Sequence, residues 1–200
     1  MRLGAEPCRL RQGLGHCRDV RYDARTMLRD PHSRTPTAPV SFRHEQILRI
    51  NDAGNSLAAP VPRSRLWAGL VHTIRQPEEH DSTIDASVCV EVSKWIWRRR
   101  VVRGSTVVAD RIELTPESEI AVTVEEGPFA GSHSEIRIEE PAPGALFVRI
   151  VHVVQGPPVL LSPEEERARN AAYDAMNVSR ISRARAAATA GTSGAFLLDS

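Results

Sequence analysis

Between Ile84 and Val92 the chain alternates, with Ile84, Ala86, Val88, Val90 and Val92 on one parity and Asp85, Ser87, Cys89, Glu91 and Ser93 on the other. A period of two is that of a strand with one buried face. Strand-like runs then follow in close order: WIWRRRVV, TVVADRIEL, EIAVTVEE, SEIRIEE and ALFVRIVHVV. The pieces between them are short and turn-forming, among them Arg103-Gly104, Thr115-Pro116-Glu117, Gly127-Pro128 and the stretch from Pro141 to Gly144. Such connections suit hairpins, so an antiparallel meander is the economical topology. Upstream, HEQILRIN predicts a further short strand centred on Ile47 and Leu48, with order beginning at Phe42.

Two segments follow a different period. In PRSRLWAGLVHTI the apolar residues Leu66, Trp67, Leu70, Val71 and Ile74 make the stripe of an amphipathic helix, with Pro62 suited to its first turn. Ser162-Pro163-Glu164-Glu165 forms a capping box before a long Ala- and Arg-rich helix, which is expected to fray near Ala187. The three consecutive glutamates, Glu164 to Glu166, splay around that helix and serve its positive end better than a metal.

One strand, a helix, six strands and a long final helix predict an α+β fold, a seven-stranded curved antiparallel sheet wrapped around the C-terminal helix. The concave space between them is where a small ligand would sit. Over roughly Phe42 to Met176 the chain resembles the helix-grip, START-like SRPBCC superfamily, and within it the AtaL-like group first named from fungal secondary metabolism. The resemblance is carried by Ile50-Asn51 at the end of the first strand and by PRSRLWAGLV, which is similar to the group's "LTRxQLWxGL". Val108-Ala109-Asp110-Arg111-Ile112 is similar to its "VxERV", and GALFVRIVHVV to its "GxLxLxFxY". Asp110 stands for the usual Glu, His152 lies near the usual aromatic, and the N-terminal extension is long. The resemblance implies a ligand-binding shape and leaves ligand and reaction open, since relatives include aromatase/cyclases, lipid carriers and hormone receptors.

Composition narrows the classes further. The formal net charge is +1, but residues 1–41 hold eight Arg against four acids (+4), leaving −3 for the rest. A nucleic-acid role would therefore reside in that segment, which lacks the aromatic or repeated basic spacing such a role needs, and no nucleic-acid partner is expected. Residues 1–41 read as a disordered Arg-rich extension, 42–187 as the domain and 188–200 as a flexible tail. Cysteines 8, 17 and 89 have no zinc-type spacing, so neither a disulfide framework nor a metal or other cofactor is expected, and a cytoplasmic location fits. No stretch approaches a membrane span or a signal peptide.

Strand parity nominates the side chains facing the cavity: Val88 and Val90, Asp110 and Ile112, Val122, Ile136, and Val148, Ile150 and His152. His152 is the one titratable group on the last strand's apolar side, suited to proton transfer or to a core or rim position satisfied by a neighbour. Asp110 needs a partner if it faces inward; the candidates are His152, Arg98 and Arg100, and the pair is either structural or a catalytic dyad. Trp95 and Trp97, on one face of one strand, would either stack on a flat ligand or pack as core. Arg98, Arg99 and Arg100 alternate and cannot all face one ligand, which leaves a solvated outer face and one inward Arg. Phe129, in the Gly127 to Gly131 connection, is placed to border a cavity mouth. Three functions follow: binding of a small hydrophobic or aromatic metabolite, a polyketide-type cyclase or dehydratase using His152 and Asp110, or a protein-interaction domain with a filled cavity.

Overall fold

Alternation along the strands decides how this chain packs, because in most of them one row is more apolar than the other. The structure is a computed structural model, and it describes residues 40–51, 60–79, 81–157 and 159–190. The expectations for residues 1–39 and for the tail beyond 190 lie outside the described residues. The strands are β1 (Val40–Arg49), β2 (Ala86–Ser93), β3 (Ile96–Arg103), β4 (Thr106–Thr115), β5 (Glu119–Glu126), β6 (His133–Ala142) and β7 (Ala145–Gln155). Two helices, α1 (Arg63–Arg75) and α2 (Pro163–Ala190), and a short 3-10 turn at Pro77–Glu79 complete the element order. β1 begins at Val40, and the last helix continues past Ala187 to Ala190.

All seven strands form one antiparallel sheet in the order β1-β7-β6-β5-β4-β3-β2. Residues directly opposite in antiparallel strands share a face, so the register defines rows across the sheet. One inward row runs Trp97, Ile112, Val122, Ser134, His152, His44. The next runs Leu114, Ile120, Ile136, Ile150, Gln46. A third, on the other side of the first, runs Cys89, Arg99, Asp110, Val124. The opposite face is polar and laced with ion pairs, Arg137 to Glu119 and Glu135 at 2.8 Å each and Arg149 to Glu139 at 2.6 Å. Exposed pairs of this kind add little stability.

Both helices cover the apolar face. α2 buries Asn177, Ile181, Ala184 and Ala188, a stripe at helical spacing. α1 buries Leu66, Trp67, Leu70 and Ile74, and with the strand rows these make one hydrophobic cluster. Seven of its members, Leu66, Leu70, Ile112, Ile120, Ile136, Ile150 and Val148, are fully enclosed, each contributing roughly 1.5–3 kcal/mol of burial. The helices touch at Gly69, where a Cβ would stand 2.1 Å from the carbonyl oxygen of Ala184. Only glycine permits that approach. The capping box forms: Ser162 N donates to Glu165 Oε2 at 2.7 Å and Glu165 N to Ser162 Oγ at 3.3 Å.

Candidate functional site

Two polar constellations interrupt the apolar concave face. The first lies where β7 and β1 meet α2. His152 and Asn177 join sheet to helix, with Nε2 of the neutral ring donating to Asn177 Oδ1 at 2.9 Å. Asn177 has 0% of its surface exposed, and its Nδ2 has no partner among the described residues. Burial pushes the His152 pKa down to about 4; the bond to Asn177 works against this, and the positive Arg180 adds to it. Tyr173, one turn before Asn177, sets its ring, tilted, 5.0 Å from His152, 5.4 Å from His44 and 5.0 Å from Phe42. Its hydroxyl pKa is raised by burial. His44 Nε2 lies 3.1 Å from Asp174 Oδ1, and the Arg169 guanidinium sits 3.8 Å over Phe42.

The second constellation is Asp110. Its carboxylate is 4% exposed and accepts two bonds from Arg99, from Nε at 3.0 Å and Nη2 at 2.5 Å. The remaining Nη1 of Arg99 donates to the carbonyl of Ile74, in the last turn of α1, at 2.8 Å. This ties β3, β4 and the helix C-terminus together, where an orphan carbonyl and the helix dipole both favour a cation. Arg99 is the inward arginine of the run. Arg98 and Arg100 face outward, opposite Arg111 and Ala109 in the register.

The structure does not bring Asp110 and His152 together. Strands β5 and β6 lie between theirs, so three strand spacings, roughly 14 Å along the sheet, separate them. Each is also bound to a different partner. Two further expectations are corrected. Val88 and Val90 are each 43% exposed and face outward, because Cys89 is opposite Arg99, whose inward direction the Asp110 bond sets. β2 is an edge strand, and there the apolar row lies on the outer side. Trp95 is not on the strand: it lies in the β2–β3 turn, 40% exposed, with Lys94 Nζ 5.0 Å from its ring. Trp97 does face inward and is buried, with Arg75 5.6 Å from its ring. Ile112, Val122, Ile136, Val148 and Ile150 are buried on the concave face. Phe129 is exposed in its turn.

His44, Tyr173, Asn177, Arg99 and Arg180 are the site residues that sequence reasoning missed. His44 has the parity of Leu48 on β1, and Tyr173, Asn177 and Ile181 recur at i, i+4 and i+8, so both signals were present. Among the described residues no group of three or more His, Cys, Asp and Glu side chains is placed to hold a metal ion. No described helix is long and apolar enough to cross a membrane. A separate cavity of about 200 Å³ lies near the end of β1, between Asn51, Val61, Arg63, Glu140 and Leu146, and none of the candidates lines it.

A family model described as acetylaranotin biosynthesis cluster protein L, AtaL, matches residues 48–191. The chain belongs to the AtaL family. Its curved sheet and long final helix are the helix-grip fold of the START-like SRPBCC superfamily. Among solved structures, this AtaL-family chain is similar to the di-domain ARO/CYC StfQ from the steffimycin biosynthetic pathway. The TM-score is 0.57 at 12% identity, over 76% of this chain and 52% of that one, so the chain spans about half the length of StfQ. It is also similar to the Zhui aromatase/cyclase from Streptomyces sp. R1128, with TM-score 0.53, 16% identity and coverage of 76% and 95%. A START superfamily protein from Mycobacterium smegmatis gives 0.52, 10%, 72% and 97%. These likenesses are of fold. No curated protein matches the sequence.

Proposed function

We propose that this AtaL-family domain holds a small, flat, apolar or aromatic metabolite between its sheet and α2, as a binding protein of secondary metabolism. The observation that carries the reading is Asn177, fully buried with an Nδ2 that nothing satisfies among the described residues. Folded proteins leave few such groups, because each keeps its desolvation cost. An oxygen of a bound molecule would accept from Nδ2, while the rings of Tyr173, His152, His44 and Phe42 and the apolar row beneath offer faces to a flat body. The family description, and the aromatase/cyclases among the similar folds, support the same ligand class. Asn177 has no accessible surface in this structure, so on this reading α2 lifts before a ligand reaches it, and association is expected to be slower than ordinary docking.

Titration with neutral aromatic ketones such as 2-acetylnaphthalene tests this, read through the emission of the buried Trp67 and Trp97 in a Trp95→Phe background. One saturable site that weakens about tenfold in Asn177→Leu is expected. Absence of saturable binding across a chemically broad panel would favour a filled core used for protein contacts.

A second reading, proton transfer on a polyketide-type substrate, is favoured by one feature. With Nε2 donating to Asn177, the neutral His152 ring keeps its Nδ1 lone pair without a partner among the described residues. Asp110 is not its co-catalyst in this reading, since Arg99 holds that carboxylate. Turnover abolished by His152→Ala and retained by Asp110→Asn in the folded fraction would establish it.

A further inference from the structure

We infer that the molecule held in the grip carries a planar oxyanion, a carboxylate or an enolate of similar shape, and that Arg180 is the residue that meets it. The inference rests on the binding reading above and names the ligand's charge. Arg180 follows Asn177 by three positions on α2 and is flanked by the buried Ile181 and Ala184, so it belongs to the stripe turned towards the sheet. No hydrogen bond, ion pair or ring contact is made to its guanidinium among the described residues. The other inward cation, Arg99, engages Asp110 and the Ile74 carbonyl through three nitrogens. That pair is neutral, and Arg180 is left as surplus positive charge.

Its charged neighbours belong to both constellations. The charges that bear most on Arg180 are Arg99 and Arg183, both positive, and Arg180 in turn acts on His152 across the grip. Burial lowers its pKa to about 10, so it remains a cation at neutral pH. Yet the residue keeps some accessible surface. Arg180 is thus a largely desolvated, half-buried charge beside the sheet with no counter-charge among the described residues. An unpaired charge there is costly, and a guanidinium's planar fork matches a carboxylate in shape as well as sign. Asn177 Nδ2, one turn away, is a second buried donor without a partner among the described residues.

The test compares 2-naphthoate with its neutral isostere 2-naphthamide by calorimetry. Wild-type protein is expected to bind naphthoate tighter by tenfold or more, Arg180→Lys to retain the preference, and Arg180→Gln to bring the two within about twofold. Equal affinities in the wild type, or a preference that survives in Arg180→Gln, overturn the inference and leave the binding reading standing. If neither probe binds the folded wild type, the binding reading fails and this one with it. Thermal unfolding without ligand separates a structural role. Arg180→Met, which removes an unpaired charge and keeps the stem, is expected to melt no lower than wild type, and a large fall would reveal a structural partner and overturn the assignment.

Discussion

Gly69→Ala is the perturbation whose outcome the geometry fixes most tightly. The new methyl carbon would stand 2.1 Å from the main-chain oxygen of Ala184, 2.8 Å from its carbonyl carbon and 3.1 Å from its Cα. A carbonyl in the middle of α2 cannot rotate aside, so the two helices must part by roughly 1 Å to restore van der Waals distance. Leu66 and Leu70 of α1 are fully enclosed at this contact, and they lose packing as it opens. Overpacking of this kind costs ~3 kcal/mol. Alanine is the better helix former and returns about 1 kcal/mol, for a net loss of ~2 kcal/mol. In a domain of this size that lowers Tm by ~4–8 °C. Urea and thermal unfolding of the variant measure it. Ala68→Gly, on the exposed side of the same helix, isolates the propensity component at about 1 kcal/mol. A Gly69→Ala protein as stable as wild type would refute the close crossing of α1 on α2.

Three further outcomes are expected. Asp110→Asn leaves Arg99 buried without its counter-charge and should cost ~3–5 kcal/mol in chemical denaturation, most of it recovered when Arg99 is also replaced by Met; an unchanged midpoint would show that the pair is not structural. The folded His152 pKa is about 4 against the ordinary 6.5, so as pH falls from 6.5 towards 4 the unfolded chain takes up the proton first. Stability should then decline by at most ~3 kcal/mol, with no contribution from this group above that window, and His152→Gln should flatten the decline measured between pH 7 and 5. Val88→Ser and Val90→Ser, on the exposed row of β2, should each change stability by under ~0.5 kcal/mol, and a loss of the size seen for core valines would reverse the assignment of that face.

Local chemistry wrote the strands, α1 and the start of α2 openly into the chain. Period-two runs, short turn-forming connections and the Ser162–Glu165 box are all signals between near neighbours, and near neighbours are what a single sequence shows. Facing is different. On β2 the valine row and the Ser87, Cys89 and Glu91 row are equally regular, and what turns Cys89 inward is Arg99 on the next strand, itself held by Asp110. That chain of causes passes through three strands. Trp95 misled for a related reason, since WIW reads as continuous strand until pairing with β4 begins β3 at Ile96. The α2 half of the candidate site stayed hidden because its stripe mixes Tyr173, Asn177, Ile181 and alanines, and so lacks hydrophobic periodicity.

The placement of β1 beside β7 sets an order of events. Strands β2 to β7 join as successive hairpins, whose ends are close in sequence and meet quickly. β1 pairs with a strand more than a hundred residues away, Val40 with Gln155 and His44 with His152. Closing so long a loop is entropically expensive before any contact rewards it, so this pairing belongs late in folding. His44 and Phe42 therefore reach Tyr173 and His152 only in the final step. A nascent meander would have its outer ion-pair face in place and its ring cluster still incomplete, so capacity to hold a ligand should emerge after most of the secondary structure has formed.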